Sequence, residues 1–346
     1  MRRFRLAAPE NGRPRRQASD PGRSTDPGSY RTVRLEEQMK RITLMVATLL
    51  IGGMLAAAHA QAADKRYVVG YTNMLDSDVF PNTVKTSFGQ AAKADPQLDV
   101  RFTDANGDIN KQLDQIDTFI AQKVDAIVVV PVDYQGIVPG VQKANRAGIP
   151  VVALNVQSAG GKFTFVGSRN FDAGRLQGEL MAQKLPKNAR VLYLQGTPGL
   201  YHSKERFDGF KQACLDKRPD VKLLASLPGN YDRGQGMQVT EDWIQRFPQF
   251  DAIIAANDQM ALGALQALKT AGRLKGVLVS GIDGTADALR EIRAGEMAQT
   301  VFQDAKGQAS AAYQVVESLR AGKGPSGDVL VPFVSITRDN VGQYLK

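Results

Sequence analysis

Past residue 60 the chain holds one histidine, His202, and one cysteine, Cys214. That excludes any mechanism built on two imidazoles, a His-rich metal site, a thiolate cluster, a redox cysteine pair or an intramolecular disulfide. Cys214 lies in the apolar stretch Phe207 to Leu215, which has helical spacing, and reads as packing. No GxxxxGK[ST] phosphate loop, no GxGxxG after a strand and no GxSxG elbow is present. Gly322-Lys323-Gly324 is a lone turn. Asp104, Asn106 and Asp108 match the first, third and fifth positions of a calcium loop, but the sixth is Ile109 where glycine is needed. The twelfth is Gln115 where a bidentate Glu is needed, so no metal is expected and Asp108 reads as a helix cap. Trp243, beside Ile244 and Phe247, reads as packing. No cofactor is expected either. What is left is a set of amides and carboxylates, which offer donors and acceptors together, as a neutral hydroxylated ligand requires.

These polar residues follow short apolar runs. Strand candidates are Tyr67 to Tyr71, Leu98 to Phe102, Ala126 to Val130, Pro150 to Leu154 and Thr164 to Val166. Leu113, Ile116, Ile120 and Val124 mark one intervening helix face, and Ile137, Val141 and Ala144 another. After Gly167 the scheme restarts with Arg190 to Leu194, Val221 to Ala225, Ala252 to Ala255, Val277 to Val279 and Met297 to Phe302. Strands alternating with helices predict an α/β fold of two doubly wound, Rossmann-like lobes. No Gly/Ser/Pro-rich linker separates them near Ser168, so the expected junction is a hinge of crossing chain and not a tether. Doubly wound sheets bind ligands beyond the carboxyl ends of their strands. There stand Thr72 and Asn73, Asp133, Asn155 and Gln157, Gln195, Asn257 and Asp258, and Asp283. Each alone reads as a helix cap rather than a contact; as a set they suit a hydroxylated neutral ligand.

At 346 residues, 43% hydrophobic and 23% charged, the chain is globular in composition and long enough for two domains. Its net charge of +9 would suggest nucleic acid or an acidic surface, but the charge is concentrated at the front. Residues 1–38 hold nine Arg against five Asp and Glu, and Lys40 and Arg41 add two more cations. The remainder is ordinary, and no nucleic-acid partner is expected. Residues 1–38, rich in Arg, Pro and Gly without apolar periodicity, are expected to be a disordered leader or to precede a true start at Met39. Met39-Lys40-Arg41, the apolar run Ile42 to Ala57 and the small residues through Ala62 compose a secretory signal over 39–62, cleaved after Ala60 or Ala62. At roughly 16 residues the run is short of the ~20 that span a bilayer core. A periplasmic, membrane-free mature protein is expected.

Five strings then carry a likeness: Gln122 to Pro131 (QKVDAIVVVP), Ala144 to Val151 (ANRAGIPV), Glu205 to Phe210 (ERFDGF), Ala256 to Ala264 (ANDQMALGA) and Gly281 to Thr285 (GIDGT). Over Lys65 to Lys346 the chain resembles the periplasmic sugar-binding proteins of the ribose-binding type. The resemblance implies the periplasmic binding protein type I fold, with two lobes joined by three crossings. It also implies a monomer that binds a sugar or polyol and delivers it to an ABC permease. The lobes would be 64–168 plus 304–333 and 169–303 plus 334–346. It places Arg206, Asn257, Asp283 and Gln303 as polar ligands, and Tyr231 and Phe80 as rings covering the C–H face of a sugar. Asn73 belongs to the same set of strand-end residues. Two departures stand out: Asn155-Val156 where many relatives have Asp-Arg, and Pro81 where they have a second aromatic. Gln157 or Asp76 would compensate, and the sugar cannot be inherited from ribose. A receptor feeding a sensor kinase or chemoreceptor, and a non-sugar ligand, stay open on the sequence.

Overall fold

The computed structural model describes residues 66–324 and 327–345; the expected leader at 1–38 and signal at 39–62 lie outside the described residues. The first half builds β1 (Tyr67–Asn73), β2 (Leu98–Asp104), β3 (Ala126–Val129), β4 (Val151–Leu154) and β5 (Thr164–Gly167). The second builds β6 (Arg190–Gln195), β7 (Lys222–Pro228), β8 (Ala252–Ala255), β9 (Leu278–Asp283) and β10 (Gln299–Phe302). Two short strands follow, β11 (Val329–Leu330) and β12 (Val334–Ile336). One sheet runs β11-β5-β4-β3-β1-β2 and the other β12-β10-β9-β8-β6-β7, so the two halves repeat one strand order. Every neighbouring pair is parallel except β10 with β12. In each sheet the order reverses beside the first strand, β1 or β6, which opens a crevice at the carboxyl ends.

The central strands are apolar along their whole length because helices cover both faces. β3, β4 and β8 are buried at every residue, and their sequences are correspondingly continuous apolar runs. Helices α1 (Val79–Lys93), α2 (Ile109–Ala121) and α3 (Val138–Arg146) serve the first sheet. In the second half lie α4 (Asn170–Lys184), α5 (Tyr201–Phe210), α6 (Arg233–Arg246), α7 (Asp258–Thr270) and α8 (Ala286–Ala294). Asp78, Asp108, Asp232, Asn257 and Thr285 cap α1, α2, α6, α7 and α8 through their side chains, as short polar residues at N-caps do. Asp108 thus caps α2, accepting from the backbone N–H of Asn110 at 2.8 Å. Trp243 is buried in the second core. Cys214 is also buried there, but the chain over Lys211–Leu215 is wound as a π-helix continuing α5.

The chain passes between the sheets three times: after β5, after β10, and between β11 and β12. Between the second and third passages α9 (Ala305–Arg320) packs back onto the first sheet and α1. Sequence periodicity pointed only to the first passage, because strands of two and three residues are too short to carry a period. No described helix is long and apolar enough to cross a membrane.

Candidate binding cleft

Arg206 organises the cleft. It projects from α5, whose position is set where α4 and α5 touch through glycines. A Cβ on Gly174 would lie 1.9 Å from the Arg206 carbonyl oxygen, and one on Gly209 would lie 2.1 Å from that of Phe171. The buried guanidinium donates from Nε to Asn170 Oδ1 (2.9 Å), from Nη1 to the Ala256 carbonyl (2.6 Å) and from Nη2 to Gln303 Oε1 (3.2 Å). Its Nη1 is 3.7 Å from Asp283 Oδ1, and its face lies over the Tyr231 ring, 5.9 Å from the centroid. These partners come from the start of α4, the first residue after β8, the first residue after β10, the end of β9 and the loop after β7. A guanidinium pinned on several edges keeps its remaining N–H groups aimed in fixed directions, which is what recognition of adjacent hydroxyls requires.

Asn257 Oδ1 accepts from the Met260 N–H (3.0 Å) as the cap of α7, while its amide nitrogen donates to the Tyr231 carbonyl (3.2 Å). Capping and positioning are therefore one role. Tyr231 is at φ 61°, its hydroxyl 2.8 Å from Ser203 Oγ, and its ring stacks on His202 at 5.2 Å. Asp283 ends β9 at φ 124°, an uncommon backbone for a non-glycine residue and the kind of local strain found at functional sites. Burial raises its carboxyl well above the ordinary value; Asp258 and Asp78 add to the rise and Arg206 opposes it. Asp258, by contrast, is fully buried and points inward, accepting from the Thr285 N–H (2.8 Å) and from the Thr300 hydroxyl (2.7 Å).

From the first half, Asn73 stands buried at the end of β1 and donates to Asp76 Oδ1 (2.7 Å). Asp76 is paired with Lys85 of α1, and its backbone N–H reaches Asp104 Oδ1. Burial would raise the Asp76 carboxyl, but the bonds from Lys85 and Asn73 hold it below the ordinary value. Among the described residues, the buried amide atoms that meet no partner in the protein include Asn73 Oδ1 on the first half and Gln303 Nε2 on the second. One is an acceptor and the other a donor, and leaving such atoms unpaired costs about 1–3 kcal/mol each. The halves also touch directly. Tyr134, beyond β3, stacks on Tyr201 of α5 with centroids 4.6 Å apart and planes 12° apart.

A model of the periplasmic binding protein domain matches residues 69–324. The chain belongs to the periplasmic binding protein family. It is 36% identical over 279 residues to a xylitol-binding protein of Mycolicibacterium smegmatis, covering 79% of this chain and 78% of that one. A ribose import binding protein of Haemophilus influenzae is 34% identical over 268 residues, covering 77% and 88%. Among solved structures, an ABC transporter solute-binding protein of Bacillus halodurans with bound myo-inositol superposes with a TM-score of 0.78 at 32% identity, covering 82% of this chain and 98% of that one. Such proteins bind solutes for transport and are not enzymes, so the Asp258 and Asp283 carboxylates of this periplasmic binding protein are not a catalytic pair.

Of the residues expected from sequence, the structure gathers Arg206, Tyr231, Asn257, Asp283 and Gln303 into one contact network. Asn73 and Asp76 form a second group, and Phe80, on the first turn of α1, packs against the core of the first half. Asn155 and Gln157 line a separate cavity of about 280 Å³, and the Asn155 amide donates to Gln308 of α9 (3.1 Å). Sequence reasoning passed over Asp78 and Asn170. Burial raises the Asp78 carboxyl, against the Phe80 N–H bond and the charge of Arg206, which both pull it down. Asp78 therefore faces Arg206 from the other half. Its signal was present as an N-cap before α1. Asn170 follows β5 at a crossing, a polar residue just past a strand end like the others.

Proposed function

We propose that this periplasmic binding protein captures one sugar or polyol between its halves and hands it to the membrane permease of an ABC transporter. The observation that carries this reading is the buried Arg206 network facing Asp78 of the first half, with an unpaired acceptor, Asn73 Oδ1, on one half and an unpaired donor, Gln303 Nε2, on the other. A hydroxyl satisfies both, since it donates and accepts. Relatives that bind xylitol, ribose and myo-inositol support the ligand class. Residues 64–168 with 304–333 act as one lobe and 169–303 with 334–346 as the other. A ligand touching Asn73 and Phe80 on one side and Arg206, Tyr231, Asn257, Asp283 and Gln303 on the other binds the closed state preferentially, and so drives closure. The flat faces of Tyr231 and Phe80 take its C–H surface, and the polar groups take its edges. Asp76 completes the first wall, and Asn155 and Gln157 line the adjoining cavity. The protein works as a monomer in the periplasm, exported through the signal at 39–62.

A thermal-shift screen of the chain from Ala63 onward against pentoses, hexoses, alditols and cyclitols tests this. A ligand at a hundred times its Kd stabilises by about 2.7 kcal/mol. A folded protein that no member of the panel stabilises would overturn the assignment.

A further inference from the structure

The cavity beside Asn155 is not absorbed by the network around Arg206, although the two share walls. It measures about 280 Å³ and lies between the halves, with Asn155 and Val156 on one side and Phe171, His202 and Glu205 on the other. Asn170, which accepts from Arg206, and His202, which stacks on Tyr231, belong to both the cavity and the cleft. We propose that this cavity receives a second part of the bound sugar or polyol, a hydroxymethyl or amino substituent hydrogen-bonded by His202, and so selects substituted ligands over the bare pentose. The inference rests on the sugar-binding reading above.

The unpartnered His202 nitrogen and the lining of the cavity carry it. His202 Nδ1 is a buried nitrogen without a protein partner, at the wall of a space large enough to hold one. Burial, with the charge of Arg206 adding, pushes the His202 pKa down to about 3, so the imidazole is neutral and offers an acceptor as well as a donor. A hydroxyl or amine can pair with it without a proton being taken up. The charged groups lining the cavity are Glu205 and Asp328 against Arg169, a surplus of carboxylate that disfavours phosphate and carboxylate substituents. The rest of the lining is mixed: Asn155, Gln157, Ser168 and Asn170 bring further polar groups, while Val156, Phe165 and Phe171 suit the carbon of the substituent.

The test is calorimetric titration with D-xylose, D-glucose, D-glucosamine and D-glucose 6-phosphate, and with the corresponding arabinose and galactose series. In the wild-type protein a hydroxymethyl- or amino-bearing sugar should bind about tenfold or more tightly than its parent pentose, the value of roughly one buried hydrogen bond, and the 6-phosphate should not bind. The sugar and amino-sugar arms tell which substituent is preferred. His202→Ala and Val156→Phe should each bring the two affinities within about threefold. Preference for the pentose, binding of the phosphate, or discrimination unchanged in a folded His202→Ala protein would overturn the subsite while leaving sugar binding intact. Should no sugar of either series bind the folded wild-type protein, the underlying reading falls and the subsite with it.

Discussion

Arg206 and Asp283 lie 3.7 Å apart with side chains only 7% and 9% exposed, and each is held by a different element of the second half. The arginine is anchored through α5 and the aspartate by the strained end of β9. A buried pair whose other hydrogen bonds are to neutral groups keeps polar capacity for something placed between the halves.

Replacing Asp283 by Ala should therefore weaken sugar binding about ten- to hundredfold, the range for losing a charge-assisted hydrogen bond. Calorimetry on the folded variant measures this. Affinity unchanged from the wild type would remove Asp283 from the contacts.

Gly174 controls Arg206 without touching a ligand. In Gly174→Ala the new methyl carbon would meet the Arg206 carbonyl oxygen at 1.9 Å, so α4 and α5 must separate. Overpacking of this kind costs about 1–3 kcal/mol. The melting temperature and the ligand affinity should fall together. A normal melting curve with normal affinity would show that the helices adjust freely.

Asp258 predicts a pH dependence of stability. Burial, opposed by its bonds from Thr300, Thr285 and Gly284, pushes its pKa from 3.8 up to about 7. The folded state thus holds a proton that the unfolded chain has released. The contribution of this group is full below pH 3.8 and is lost as pH rises through about 7. In Asp258→Asn the decline in stability between those limits should be shallower, as read from urea unfolding at several pH values. An identical slope in the variant would contradict it.

The Tyr134–Tyr201 stack joins the halves directly, so it should favour the closed form. Stacked rings contribute about 0.5–1.5 kcal/mol beyond their buried area. Tyr134→Ala should lower affinity by about three- to tenfold, with a larger radius of gyration by small-angle scattering in the absence of sugar. A compact, equally tight-binding variant would mean the stack is incidental.

By itself the sequence determined the ten main strands, the doubled α/β scheme and the excluded chemistries. Continuous apolar runs and helical periods are local properties, and the scarcity of His and Cys needs no structure to read. The caps at Asp108 and Asn257 were equally local. Tertiary structure alone decided which polar residues meet. Asn73 and Asp283 are both strand-end polar residues in the sequence, yet one pairs with Asp76 and the other stands beside Arg206. Asp258, next to Asn257, turns inward to Thr285 and Thr300, whereas Asn257 reaches Tyr231. Asp78 faces an arginine 128 positions away in the chain, and His202 draws its neutrality from burial. Hydrogen-bond partners and desolvation depend on distances between segments far apart in the chain, and those distances exist only once three crossings have brought two sheets together.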